Sequence, residues 1–195
     1  MNVGRFVRLM AVKIHTIRTH QEYGWHASSV SRSPGINRGE VFFFETPFPV
    51  DSPLPYAELA SRTSIPLAMG EHGVTRWEFL DMMDRGRVSV VQPYMTTCGG
   101  LTEAKRIVEL ARMRGAIVCP GNWSTQILGA ATVHLAAYSP ITPFIEFAPA
   151  EVYGSPLRRE LQDAGFPVRD GTIELPLAPG IGYDLPADII ERFKV

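Results

Sequence analysis

A chain of 195 residues, 45% apolar and 20% charged, is long enough to bury one sizeable core or to form part of a larger barrel. Its formal net charge of −1 argues against nucleic acid or an anionic membrane surface as the main partner. Cys98 and Cys119 have no metal-ligand spacing, so neither a disulfide framework nor a zinc site is indicated, and no apolar run approaches the roughly 20 residues of a membrane helix.

Residues 1–39 hold six basic residues (Arg5, Arg8, Lys13, Arg18, Arg32, Arg38) against one acid, Glu22. Charges interrupt "RFVRLMAVKIHTIR", which removes any signal-peptide core and makes a cytoplasmic location the default. "HASSVSRSPGINRGE" follows neither a period of two nor one of 3.6, so the sequence predicts an irregular basic leader over 1–39. Two alternatives stand beside it: an arm touching nucleic acid, and a metal site at His15, His20 and His26, whose spacings match no helical face.

From residue 40 the chain alternates regularly. Apolar runs predict strands at 41–45, 66–71, 88–93, 116–120 and 144–147. Between them "VTRWEFLDMMDRG" reads as a helix with Thr75 as N-cap, Glu78 completing a capping box, and Gly86 as its stop. "LTEAKRIVELARMRG" gathers Leu101, Ala104, Ile107, Val108 and Ala111 on one face and stops at Gly115. "STQILGAATVHLAAYSP" predicts a buried helix ending before Pro140. A strand–helix repeat of about 25 residues with continuous apolar strands predicts a parallel α/β fold, and an even repeat predicts a TIM-type (β/α) barrel. Five repeats are visible where a closed barrel needs eight, so residues 40–195 are expected to form its last part.

Three of these runs end on or near a carboxylate: Glu45, Glu71 and Glu146. At neighbouring barrel strand ends such groups point into one mouth, where they repel unless a hard cation such as Mg²⁺ lies between them. Solvated strand ends or helix-capping acids are the alternative. Gly99-Gly100 reads either as an anion-binding helix start or as a tight turn. His134, Cys98 and Cys119 read as packing residues.

"FFFETPFPVD", "IPLAMGEHGVTRWEF", "VVQPYMTTCGGLTEAKRIVELA", "CPGNWSTQILGAATVHLAAYSP" and "APGIGYDLP" resemble, in order, segments of the enolase superfamily. The likeness covers about residues 41–195 and is closest to the mandelate racemase/muconate lactonizing enzyme-like barrel domain of acid-sugar dehydratases, such as the rhamnonate, galactonate and galactarate enzymes. It implies Glu45 and Glu71 as Mg²⁺ ligands at the ends of barrel strands four and five. Glu146 is implied at the end of strand eight, hydrogen-bonding the carboxylate of a small sugar-acid substrate. The implied chemistry is α-proton abstraction through a metal-stabilised enediolate, followed in a dehydratase by loss of the β-hydroxyl.

The departures are specific. Where those dehydratases read Gln-Pro-Asp on strand six and place a His on strand seven, this chain has Gln92-Pro93-Tyr94 and Gly121. The Asp–His dyad is lost on both sides at once. The lysine-bearing second strand and the metal ligand on strand three find no counterpart in residues 1–39, which suggests an N-terminally truncated copy. Tyr94 is read as a substrate donor or a packed tyrosine, and His72 as a substrate contact or proton donor or as a loop partner. The activities left open are a Mg²⁺-dependent sugar-acid dehydratase, a racemase or cycloisomerase of the same superfamily, and a non-catalytic barrel fragment. An open parallel edge predicts self-association or a homo-oligomer.

Overall fold

A computed structural model describes residues 6–11, 42–147, 155–163, 168–169 and 171–194. The leader is not irregular throughout: Phe6–Ala11 form strand β1. The charges that hid it from a reading of the sequence are compatible with a strand whose order comes from pairing on both sides. The readings at His15, His20 and His26 lie outside the described residues.

The predicted strands form in sequence, each shorter than its apolar run. They are β2 (Phe44–Glu45), β3 (Leu67–Met69), β4 (Val90–Val91), β5 (Ile117–Val118), β6 (Gly121–Asn122) and β7 (Ile145–Phe147). β2 to β5 lie side by side and parallel, with Glu45 beside Ala68, Met69 beside Val91, and Val91 beside Val118. β5 and β6 are one course of chain interrupted at Pro120, which has no N–H for the ladder. Its carbonyl is used instead, accepting from the Glu146 N–H at 3.0 Å. The chain thus pairs with β4 through β5 and with β7 through β6, carrying the parallel order across all five repeats.

β1 pairs in parallel with the far edge of β7, and antiparallel on its other side with β9 (Thr172–Glu174), itself in a hairpin with β8 (Val168–Arg169). The Asp-Gly between these two strands is a tight-hairpin sequence, and Gly171 takes the positive φ (69°) such a turn needs. The edge of β7 is therefore covered. That of β2 has no strand partner among the described residues.

Among the described residues six helices return the chain: α1 (Leu54–Ala60), α2 (Arg76–Asp84), α3 (Gly100–Met113), α4 (Gln126–Tyr138), α5 (Pro156–Asp163) and α6 (Ala187–Phe193). Among the described residues no helix is long and apolar enough to cross a membrane. α3 buries Ala104, Ile107, Val108 and Ala111, the face its periodicity announces. α4 is buried along most of its length and stops at Tyr138, before Pro140. α2 starts at Thr75 without a side-chain cap; Glu78 instead reaches the Val74 N–H at 2.8 Å, so only half of the expected box forms, shifted by one residue. α1 is too short for its periodicity to show in the sequence, and it forms because Tyr56 and Leu59 are fully buried.

Strand alternation divides the side chains into two cores. Leu67, Met69, Val91 and Val118 face the helices and pack with Tyr56, Leu59, Phe79 and Ile107. Residues of the opposite parity, Ala68, Val90 and Cys119, form an inner layer with Phe43, Ile117 and Phe144. Phe43 and Phe144 stack at 6.5 Å across the first and last of the five repeats, and Phe42 meets Phe144 edge-on at 4.8 Å. This apolar floor lies directly beneath the strand ends.

Candidate active site

The parity that sends Phe43, Val90 and Phe144 to the floor sends Glu45, Gln92 and Glu146 to the layer above it. Glu146 is paired in register with Gly121 and only 3% exposed. Glu45 is half-buried at the end of β2. Glu71 comes two residues after β3, through a turn closed by the Gly73 N–H on the Gly70 carbonyl (3.0 Å). Gly70 sits at φ 132°, and a Cβ there would lie 2.6 Å from the Phe79 ring and 3.0 Å from the Gln92 nitrogen. Only glycine lets the chain turn so close to its neighbours. Thr97 ties the next loop to this turn, donating to the Glu71 carbonyl at 3.2 Å.

The electrostatics show that the three carboxylates share one environment. Burial pushes Glu45 up to about 7, Glu146 and then Glu71 add to the rise, and the Gln92 amide tempers it. Yet neither Gln92 Nε2 nor Oε1 completes a hydrogen bond of good geometry, although the residue is fully buried. Thr46 Oγ1 beside Glu45 is also unpartnered and buried. Glu146 is raised by burial and by Glu71, against hydrogen bonds from the Trp123 indole and Tyr94 that favour its charge. Tyr94 Oη donates to Glu146 Oε2 at 3.3 Å. Burial and all three glutamates hold the Tyr94 phenol far above its ordinary acidity range, so it stays a donor at neutral pH. Cys119, packed under the same carboxylates, is likewise pushed up and inert.

The donors match a hard cation in kind: carboxylates driven together at cost, beside a buried amide and a buried hydroxyl that lack well-formed hydrogen bonds. Among the described residues no three His, Cys, Asp or Glu side chains gather closely enough to enclose a metal ion unaided.

Of the residues expected from sequence, Glu45, Glu146 and Tyr94 come together around the mouth, with Glu71 at its edge. His72 stands on the rim with its side chain 68% exposed, Nε2 3.3 Å from Glu71 Oε1. His134 lies away from the mouth, its Nε2 3.1 Å from the Ile181 carbonyl, which pins the glycine-rich tail over α4. The Gly100 N–H is taken by the Met95 carbonyl, a turn contact. Trp123 is a site residue that sequence reasoning did not single out; Gln92 and Gly121 are named from the sequence only within the departures on strands six and seven, without a role. Strand parity is the signal that would have found Gln92 and Gly121, since both fall in register with the inward-facing positions.

A family model described as Enolase C-terminal domain-like matches residues 17–189. Arabinonate dehydratase of Saccharolobus solfataricus is 29% identical over 192 residues, covering 98% of this chain and 48% of that protein. Muconate cycloisomerase 1 of Rhodococcus opacus is 32% identical over 166 residues, covering 82% of this chain and 42% of that protein. A solved mandelate racemase/muconate lactonizing enzyme from Jannaschia sp. CCS1 superposes with a TM-score of 0.73 at 29% identity, covering 85% of this chain and 41% of that one. The chain therefore spans less than half the length of these relatives. With its strand order and its two-layered interior, it is the later part of a (β/α) barrel, and it belongs to the enolase superfamily.

Proposed function

We propose that this chain carries the metal- and substrate-facing strands of a Mg²⁺-dependent sugar-acid dehydratase. The observation that supports it most is the convergence of Glu45, Glu146 and Glu71 on one buried environment, with Glu45 raised to about 7 by burial and by the other two. In this reading Glu45 and Glu71 hold the cation, with Gln92 and Thr46 turned toward it or its bound waters. When bound, Mg²⁺ supplies Lewis-acid stabilisation of the charge that develops as the α-proton leaves.

Glu146 meets the substrate carboxylate, and Tyr94 and Trp123 hold it from behind. The apolar floor excludes water from beneath and strengthens each of these interactions. In this reading His72, exposed on the rim, protonates the departing hydroxyl. The likeness to a dehydratase supports the substrate class. The free, buried thiols of Cys98 and Cys119 suit a reducing cytoplasm. The edge of β2, without a strand partner among the described residues, supports self-association.

A second reading, cycloisomerisation of a carboxylate, is supported by the likeness to a cycloisomerase and by the absence of the Asp–His dyad. The two separate by product. Loss of water across the α and β carbons of an open-chain acid gives an enol that tautomerises to a 2-oxo acid one water lighter than its substrate, whereas cycloisomerisation conserves the substrate's formula. A panel of aldonates and aldarates with Mg²⁺ is expected to yield 2-oxo acid, dependent on Glu45. No 2-oxo acid from any member, or formation unchanged in Glu45→Gln, contradicts the dehydratase reading.

A further inference from the structure

Gly121 is not a glycine for the sake of its backbone. Its φ lies outside the left-handed region, so an L side chain could adopt it. What forbids a side chain is Tyr94. A Cβ on Gly121 would lie 2.1 Å from Tyr94 Oη, 2.3 Å from Cζ and 2.4 Å from Cε2, distances at which unbonded atoms do not coexist. The atoms met belong to a rigid ring on a residue only 7% exposed, so the ring has little room to swing aside. The phenol thus fills the volume that any residue at 121 would need.

From that position Tyr94 reaches one partner of consequence. Gly121 lies directly beside Glu146 across the β6–β7 ladder, and Tyr94 Oη, resting on Gly121, donates to Glu146 Oε2 at 3.3 Å. Trp123, two residues along the chain from Gly121, gives Glu146 its other hydrogen bond. Two donors on one buried carboxylate fix its rotation.

We infer that Tyr94, Gly121 and Glu146 form one unit: Gly121 leaves the room, Tyr94 occupies it, and Tyr94 is the positioning residue that aims the Glu146 carboxylate at the substrate. The two departures at positions 94 and 121 are then a single exchange, in which the Tyr94 ring is accommodated only because residue 121 has no side chain. The inference rests on the proposed function for what Glu146 faces, but its geometry does not depend on turnover.

The test has a stability arm and a spectroscopic arm. Gly121→Ala is expected to lower the thermal midpoint sharply or to prevent folding, whereas the double variant Y94A/G121A folds with the midpoint of Tyr94→Ala alone. Tyr94→Phe keeps the ring and is expected to fold; in uniformly ¹³C-glutamate-labelled protein it moves the side-chain carboxyl signal of Glu146, assigned by its loss in Glu146→Gln. If the panel above finds a substrate, Tyr94→Phe lowers kcat by about tenfold or more, as loss of an orienting partner does. A Glu146 signal unmoved by Tyr94→Phe, or Gly121→Ala tolerated equally in both backgrounds, overturns the inference. A moved signal in a chain that turns over nothing sustains it and counts against the proposed function instead.

Discussion

The two walls of the barrel mouth are built from the same repeat and differ in how their buried polar groups are paired. On the β6–β7 wall, Glu146 is almost completely buried and receives hydrogen bonds from Tyr94 and Trp123. On the β2–β4 wall, Glu45 is crowded by two other carboxylates, and Gln92 and Thr46 keep buried polar atoms unpartnered. A fold does not bury unpaired polar groups without cost, so the difference supports the proposal that the second wall takes the ligand; Gln126 Oε1, at the start of α4, is also buried and unpartnered. The first wall is shaped around its own side chains.

Replacing Glu45 by Gln breaks that contrast most severely. It removes a hard ligand at the crowded wall, and Mg²⁺ affinity measured by titration calorimetry is expected to fall at least about 100-fold, Glu71→Gln behaving similarly. Gly70→Ala attacks the turn that delivers Glu71. A Cβ 2.6 Å from a buried ring at a φ of 132° is expected to cost about 2–4 kcal/mol in urea denaturation and to weaken cation binding.

The pH dependence sharpens the comparison. A Glu45 carboxyl at about 7 in the folded chain, against 4.5 when unfolded, binds its proton more tightly in the native state. In chelator, stability is therefore full below about pH 4.5 and declines as pH rises toward 7, by up to about 3 kcal/mol. Glu45→Gln flattens that decline, leaving the smaller part that the raised Glu146 contributes in the same direction. The smallest effect belongs far from both walls. Arg76→Ala breaks the 2.7 Å pair with Glu103 between α2 and α3, at an expected cost of about 0.5–1 kcal/mol and with no change in cation binding.

The repeat, the five strands and three of the helices were legible because apolar runs and capping residues carry them locally. The pairing of β1 with β7 was not legible, since Phe6–Ala11 is joined to its partners by contacts more than 130 residues away in the chain. α1 stayed hidden because seven residues give barely two turns. Within the site, the carboxylates announced themselves by standing where apolar runs end. Gln92 and Trp123 did not, because an amide and an indole beside apolar residues look like packing until the structure shows what they face. The Tyr94–Gly121 exchange was visible only as two losses; its geometry shows one phenol filling one missing side chain.

The central claim, that Glu45 and Glu71 hold a divalent cation beneath a substrate site, is tested most directly by calorimetric titration of Mg²⁺ into the chain at pH 6.5 in buffers of different ionisation enthalpy. A Glu45 carboxyl at about 7 must release its proton when a cation binds. Saturable binding accompanied by proton release is expected, with the release absent in Glu45→Gln. Binding without proton release, or no Mg²⁺ binding at all, would contradict it.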